Sequence, residues 1–141
     1  MAKAKKMVKT DIPLLRKWIK ALRSRKYTQG KCSLVRNYGE RRPEYCCLGV
    51  ACVVSGLTND QIRDRLMLTD FKKGRELHSR LGLTVDKIGR VEVFGEMVRA
   101  QNALADLNDE QGKGFAYIAS WIEKNVLKPA VKAQRKARKA A

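Results

Sequence analysis

At 141 residues, the chain is long enough to bury a core as one domain without disulfide or metal staples. Its 31 Lys and Arg stand against 14 Asp and Glu, a formal charge of +17, which favours polyanionic partners such as nucleic acid or an anionic surface. No stretch reaches the ~20 consecutive apolar residues of a bilayer span, and the charged start MAKAKKMVKT runs into no apolar signal core, so a cytoplasmic protein with reduced cysteines is expected and no membrane partner.

The charge is unevenly placed. Residues 1–10 hold Lys3, Lys5, Lys6 and Lys9, residues 128–141 hold Lys128, Lys132, Arg135, Lys136, Arg138 and Lys139, and neither end contains an acid. The expected organisation is a basic N-terminal tail over 1–10, a single globular domain over 11–127 and a basic C-terminal tail over 128–141.

TDIPLLRKWIKALRSRKY predicts an amphipathic helix. Thr10 or Asp11 caps it, Pro13 suits its first turn, and Leu14, Leu15, Trp18, Ile19 and Leu22 share one face. Gly30, Gly39 and Pro43 then punctuate short runs that read as a small β-hairpin or extended element near residues 31–48, with the exposed basic loop NYGERRPE carrying Arg41 and Arg42. CCLGVACVVSG is apolar throughout, so periodicity does not separate buried strand from buried helix; its small residues favour a helix.

LTNDQIRDRLML predicts a short helix capped by Thr58 or Asn59, with Ile62, Leu66 and Met67 inward. DFKKGRELHSRLGL reads as a weaker helix interrupted at Gly74, with His78 at its surface or half buried. VDKIGRVEVFG offers a brief alternation at Val91 and Val93. MVRAQNALADLNDEQGKGFAYIASWIEKNVL predicts two helices joined by a polar turn, the first lined by Met97, Val98, Ala100, Leu104 and Leu107, the second by Phe115, Ile118, Ala119, Ile122 and Val126. The Ala-rich basic run after Pro129 either extends the second helix or orders on a partner. The fold class expected is mainly α with a minor β element, in a compact helical single domain.

Lys26-Tyr27, Gln29-Gly30-Lys31, then Tyr45-Cys46-Cys47-Leu48-Gly49-Val50-Ala51-Cys52, and finally Leu107-Asn108-Asp109 ahead of Gly114-Phe115, Ile118-Ala119 and Trp121-Ile122-Glu123 resemble a group of small, mostly uncharacterised tailed-bacteriophage proteins. The resemblance spans roughly residues 14–125 and omits both basic ends. It implies a phage origin, a bacterial host cytoplasm or virion as setting, and a shared compact fold; it implies no catalytic or binding residues.

The cysteines invite four chemistries. Structural zinc wants paired Cys-x₂₋₄-Cys or Cys/His knuckles, whereas Cys46 and Cys47 are adjacent and His78 is the sole histidine. On a strand adjacent cysteines face opposite ways, and on a helix Cys47 and Cys52 diverge by roughly 140°. A thiol nucleophile needs a neighbouring base; a helix start would lower the pKa of Cys46 or Cys47, but His78 has no orienting motif around it. Bridges do not suit the compartment. Packing of reduced cysteines as small apolar side chains is the expectation, with no metal and no cofactor.

Asp106, Asp109 and Glu110 suggest a cation or acid/base site, but Asn108, Asp109, Gly112 and Gly114 are turn and cap residues, and the side chain of Asp109 or Asn108 is expected to bond free backbone amides between two helices. Gly112-Lys113-Gly114 lacks the longer glycine pattern and following Ser or Thr of a phosphate loop. The sequence therefore points to a non-enzymatic, DNA- or RNA-binding protein that holds phosphates through Lys3, Lys5, Lys6, Lys9, Arg41, Arg42, Lys128, Lys132, Arg135, Lys136, Arg138 and Lys139, without strong sequence specificity. The alternatives are an accessory or inhibitory protein that binds an acidic host or phage protein, a virion component lying on the genome, and a cysteine-dependent enzyme.

Overall fold

The computed structural model describes residues 10–36, 42–83 and 99–140. Helix α1 (Ile12–Arg23) begins where the sequence places it: Asp11 Oδ1 accepts from the Leu14 amide at 3.0 Å and Pro13 sits in the first turn. The second carboxylate oxygen of Asp11 accepts from Arg80 at 2.9 Å, and its own amide donates to the Arg80 carbonyl at 2.7 Å. One cap thus closes α1 and fastens it to the end of a distant helix. Leu14, Leu15, Trp18, Ile19 and Leu22 are all buried.

Three two-residue strands follow, β1 (Thr28–Gln29), β2 (Val35–Arg36) and β3 (Glu44–Tyr45), in the order β1-β3-β2. β3 pairs antiparallel with β2, Val35 opposite Tyr45, and parallel with β1, Gln29 opposite Tyr45. The expected hairpin exists as β2 and β3, and it gains a third, parallel strand. Of its basic loop, residues 37–41 lie outside the described residues.

The apolar cysteine-rich run is helix α2 (Cys47–Val54), buried from Cys47 through Cys52. Its fit depends on Gly49: a Cβ there would stand 1.8 Å from the Leu34 carbonyl oxygen, so α2 lies backbone to backbone on the segment leading into β2. α2 packs on α1 and on helix α5 (Arg99–Asp109). Trp18 Nε1 donates to the Cys47 carbonyl at 2.9 Å, and the Cys47 thiol contacts the Leu104 carbonyl at 3.6 Å.

Helix α3 (Asn59–Ile62) carries a capping box, Thr58 and Gln61 each satisfying the other's backbone. Ile62 is buried as expected, but Leu66 is 58% exposed. The helix stops after one turn, and the chain beyond it no longer follows the helical period that assigned Leu66 inward. A 3₁₀ turn at Leu68–Asp70 leads into α4 (Lys72–Arg80). Gly74 does not interrupt α4. It is buried at a contact where a Cβ would meet the Leu68 carbonyl oxygen at 2.1 Å.

His78 is 1% exposed, not at the surface, because it shares the inner face of α4 with Leu77. Neither ring nitrogen has a hydrogen-bond partner among the described residues, and burial pulls its pKa down from 6.5 to about 4. The alternation at Val91 and Val93, and Met97 and Val98, lie outside the described residues.

α5 and α6 (Phe115–Ile122) are the two helices expected around the NDEQGKG turn, with Leu104, Leu107, Phe115, Ile118, Ala119 and Ile122 buried. α1 lies against α6 as the most extensive helix pair. α6 continues through a π turn (Glu123–Leu127) into α7 (Lys128–Ala140). Lys128 bonds back five residues to the Glu123 carbonyl, and this wider turn just ahead of Pro129 lets the helix pass a residue that lacks an amide donor. The fold is mainly helical with a small mixed sheet.

The polar centre of the fold is Asn108, 1% exposed. Its Oδ1 accepts from Gln29 Nε2 at 2.9 Å and from the Cys47 amide at 3.2 Å; its Nδ2 donates to the Gly30 carbonyl and to Asp109 Oδ1, both at 2.8 Å. The amide is fully used.

Asn108→Ala will leave the Cys47 amide and the Gly30 carbonyl buried and unpaired, and is expected to cost about 3 kcal/mol of unfolding free energy by denaturant titration. Asn108→Asp will not rescue it, since the carboxylate has no donor for Gly30. His78 supplies a second expectation. Its folded pKa lies below the unfolded one, so the unfolded chain takes up more protons between pH 6.5 and about 4, and stability falls as pH drops through that window. The loss from pH 7 to pH 5 is expected to be about 2 kcal/mol, and His78→Leu should flatten the profile.

Candidate nucleic-acid interface

The polar side of α1 places Arg16, Lys20 and Arg23 at steps of four and three residues, hence on one stripe. Because α1 packs along α6, and α6 runs on through the π turn into α7, Arg23 lies against Ser120 and Glu123 while Arg16 faces the start of the C-terminal helix. Between them lies an open groove of about 920 Å³ lined by Arg16, Glu123, Lys128, Lys132, Arg135, Lys136 and Lys139, with Leu127 and Val131 as its apolar floor. A smaller recess continues it along α1, adding Ile19, Lys20 and Arg23.

Glu123 is the one acid among these lining residues. Arg23 reaches it at 3.3 Å and also bonds Ser120 Oγ at 3.3 Å. That guanidinium holds the Glu123 carboxyl below its usual range. The contact is exposed, so its worth lies in orienting Arg23 more than in stability. Lys128 also draws the Glu123 carboxyl down, and the groove's described lining offers its other cations no second carboxylate.

The structure gathers Lys128, Lys132, Arg135, Lys136 and Lys139 along this groove, while Arg138 is exposed on α7 but does not line it. Arg42 is exposed just ahead of β3 and lies off the groove. Lys3, Lys5, Lys6, Lys9 and Arg41 are outside the described residues. Arg16, Lys20 and Arg23 were not singled out from the sequence. Their stripe is visible in the helical period, but the apposition of Arg16 to α7, and of Lys20 and Arg23 to the π turn, depends on how α1 meets α6.

The cysteines form no comparable site. Cys46 is the N-cap of α2, its sulfur accepting from the Gly49 amide at 3.4 Å. The expected lowering of its pKa at a helix start is reversed: burial pushes the Cys46 thiol up to about 12 and raises Cys47 and Cys52 as well. Among the described residues no three His, Cys, Asp or Glu side chains come together as metal ligands. Asp109, considered for a cation, accepts from the Cys32 amide at 3.0 Å and from Asn108. Among the described residues no helix is long and apolar enough to cross a membrane.

Comparison with protein-family models, with curated proteins and with solved structures finds no match to this chain.

Cys32 is exposed and the other three cysteines are buried. A thiol reagent such as 5,5′-dithiobis(2-nitrobenzoate) is therefore expected to titrate one thiol per native chain at pH 8 and all four only in denaturant. Rapid native reaction of a second thiol would mean that α2 opens more readily than its packing implies.

Proposed function

We propose that this is a phage-encoded binding protein that holds nucleic acid by its phosphates, through the groove between α1 and α7. The observation that carries the reading is the convergence of Arg16, Lys128, Lys132, Arg135, Lys136 and Lys139 on one open surface, with Glu123 as the sole acid lining it among the described residues. Cations on a helix repeat every three or four residues, about 5–6 Å, a spacing suited to a chain of phosphates. Such contacts release counterions, and affinity falls as salt rises. The lining side chains are Lys, Arg, Glu and aliphatic residues, so backbone contact rather than base reading is the mode they support.

A binding role in place of cysteine chemistry is supported by the burial of Cys46, Cys47 and Cys52, the upward shift of their thiols, and the burial of His78 on another helix. A nucleophile must reach a substrate and ionise near neutral pH.

The test is an electrophoretic shift of DNA and of RNA at about 50 and 200 mM salt. The wild-type chain is expected to shift nucleic acid at the lower salt and to weaken at the higher. Lys132→Glu with Lys136→Glu, both exposed, should weaken binding by at least about tenfold and reduce the salt slope by roughly 0.9 per lost phosphate. Absence of any shift by the wild-type chain at low salt overturns the reading.

A further inference from the structure

The groove describes only one side of α7. Its single buried residue is Ala130; from residue 135 to 140 every position is exposed, and of these Arg135, Lys136 and Lys139 line the groove while the alanines do not. Around this exposed part the side chains alternate between two classes. Arg135, Lys136, Arg138 and Lys139 are long and cationic, while Ala137 and Ala140, with Ala133 one turn earlier, are the smallest a helix tolerates without cost. A helix with large side chains is ~10–12 Å across, and alanine on one flank makes it thinner there.

These properties fit a definite receptor. The major groove of B-form DNA is about 12 Å wide and admits one α-helix. The major groove of A-form RNA is deep and narrow and does not. Single strands are held by a basic groove combined with aromatic platforms on which bases stack, and among the described residues no aromatic lines the α1–α7 groove. We propose that the exposed half of α7 enters the major groove of double-stranded DNA, its alanine flank toward the base edges. Arg16 and the groove-lining stripe of α7 hold the phosphates on one side of the alanine flank, and Arg138, on its other side, reaches those of the second strand. The inference rests on the nucleic-acid reading above and narrows it to one substrate, duplex DNA, recognised by groove shape and charge without base specificity.

The helix itself, and not just its charge, is then required. Ala137→Pro keeps every cation but breaks the exposed part of the helix, since proline in a helix interior removes a bond and clashes with the preceding turn. Position 137 is exposed, so the body should remain folded, which far-ultraviolet circular dichroism and an unchanged melting temperature would verify. The experiment measures wild-type and Ala137→Pro affinities for a duplex DNA, a duplex RNA and a single-stranded DNA of the same sequence at one salt concentration. Wild type is expected to prefer duplex DNA over the other two by at least about tenfold, and Ala137→Pro to lose about that factor on duplex DNA alone.

Methylation by dimethyl sulfate provides an independent readout. Guanine N7 lies in the major groove, and its protection by the wild-type chain is expected, with protection lost in Ala137→Pro. Equal affinity for the three nucleic acids, or an unchanged duplex affinity in Ala137→Pro, overturns the major-groove placement while leaving phosphate binding standing. Failure of all three to bind overturns both.

Discussion

A single side-chain amide sets the frame on which the rest of this protein is built. Asn108 ends α5 and uses all of its hydrogen-bonding capacity on three segments far apart in sequence: Gln29 and Gly30 at β1, Cys47 at the start of α2, and its own neighbour Asp109. The bond to the Cys47 amide is doubly constraining, because the first turn of a helix has amides that no helical carbonyl reaches. Asn108 supplies the missing acceptor from another helix. Gln29 extends the network to the Lys113 carbonyl at 2.7 Å, and Asp109 extends it to the Cys32 amide. The sheet edge, the cysteine helix and the α5–α6 turn are thereby held in one register.

From that point the geometry propagates outward. Cys47 is fixed through its amide by Asn108, through its carbonyl by Trp18 and through its sulfur by Leu104. Trp18 therefore sets where α1 lies relative to α2, and α1 in turn provides the surface on which α6 packs. Because α6, the π turn and α7 are one continuous helix, the placement of α1 on α6 also decides which cations of α7 face Arg16. A buried amide and a basic groove are linked through two helix contacts.

Much of this was legible in the sequence, but unevenly. α1, α5 and α6 follow from the 3.6-residue period and from caps, which are local properties of the chain. Asn108 and Asp109 could be read as groups that bond backbone amides, but not which amides, since the partners lie 61 to 79 residues away for Cys47, Cys32, Gly30 and Gln29. The pairing of β1 with β3 was invisible for the same reason: strands of two residues carry no period, and a parallel partner is not announced by a turn. Gly74 shows a different limit: in a helical window glycine reads as an interruption, whereas here it permits the close approach of the Leu68 carbonyl, as Gly49, read as a small packing residue, does for that of Leu34. His78 misled because its type suggests exposure while its position beside Leu77 puts it in the core. Gln29-Gly30, Cys46-Cys47 and Asn108-Asp109 stand in three separate motifs of the sequence, and in space they are one structural junction.

The molecule separates the energetics of folding from those of its charged surface. The buried cluster runs from Ile12 to Ala130 and stops there, so the last ten residues of α7 contribute little apolar burial to stability. α7 as a whole carries like charges at four-residue spacing, Lys128 with Lys132, Lys132 with Lys136, and Arg135 with Lys139, and each such pair opposes the helix by a few tenths of a kcal/mol. Alanines at 130, 133, 137 and 140 offset that repulsion through intrinsic helix propensity. A sequence shaped for stability alone would place Glu between those lysines, where each pair would become favourable. Its absence leaves a helix whose repulsion a polyanion relieves on contact, and that supports assigning the C-terminal charge to a partner rather than to the fold.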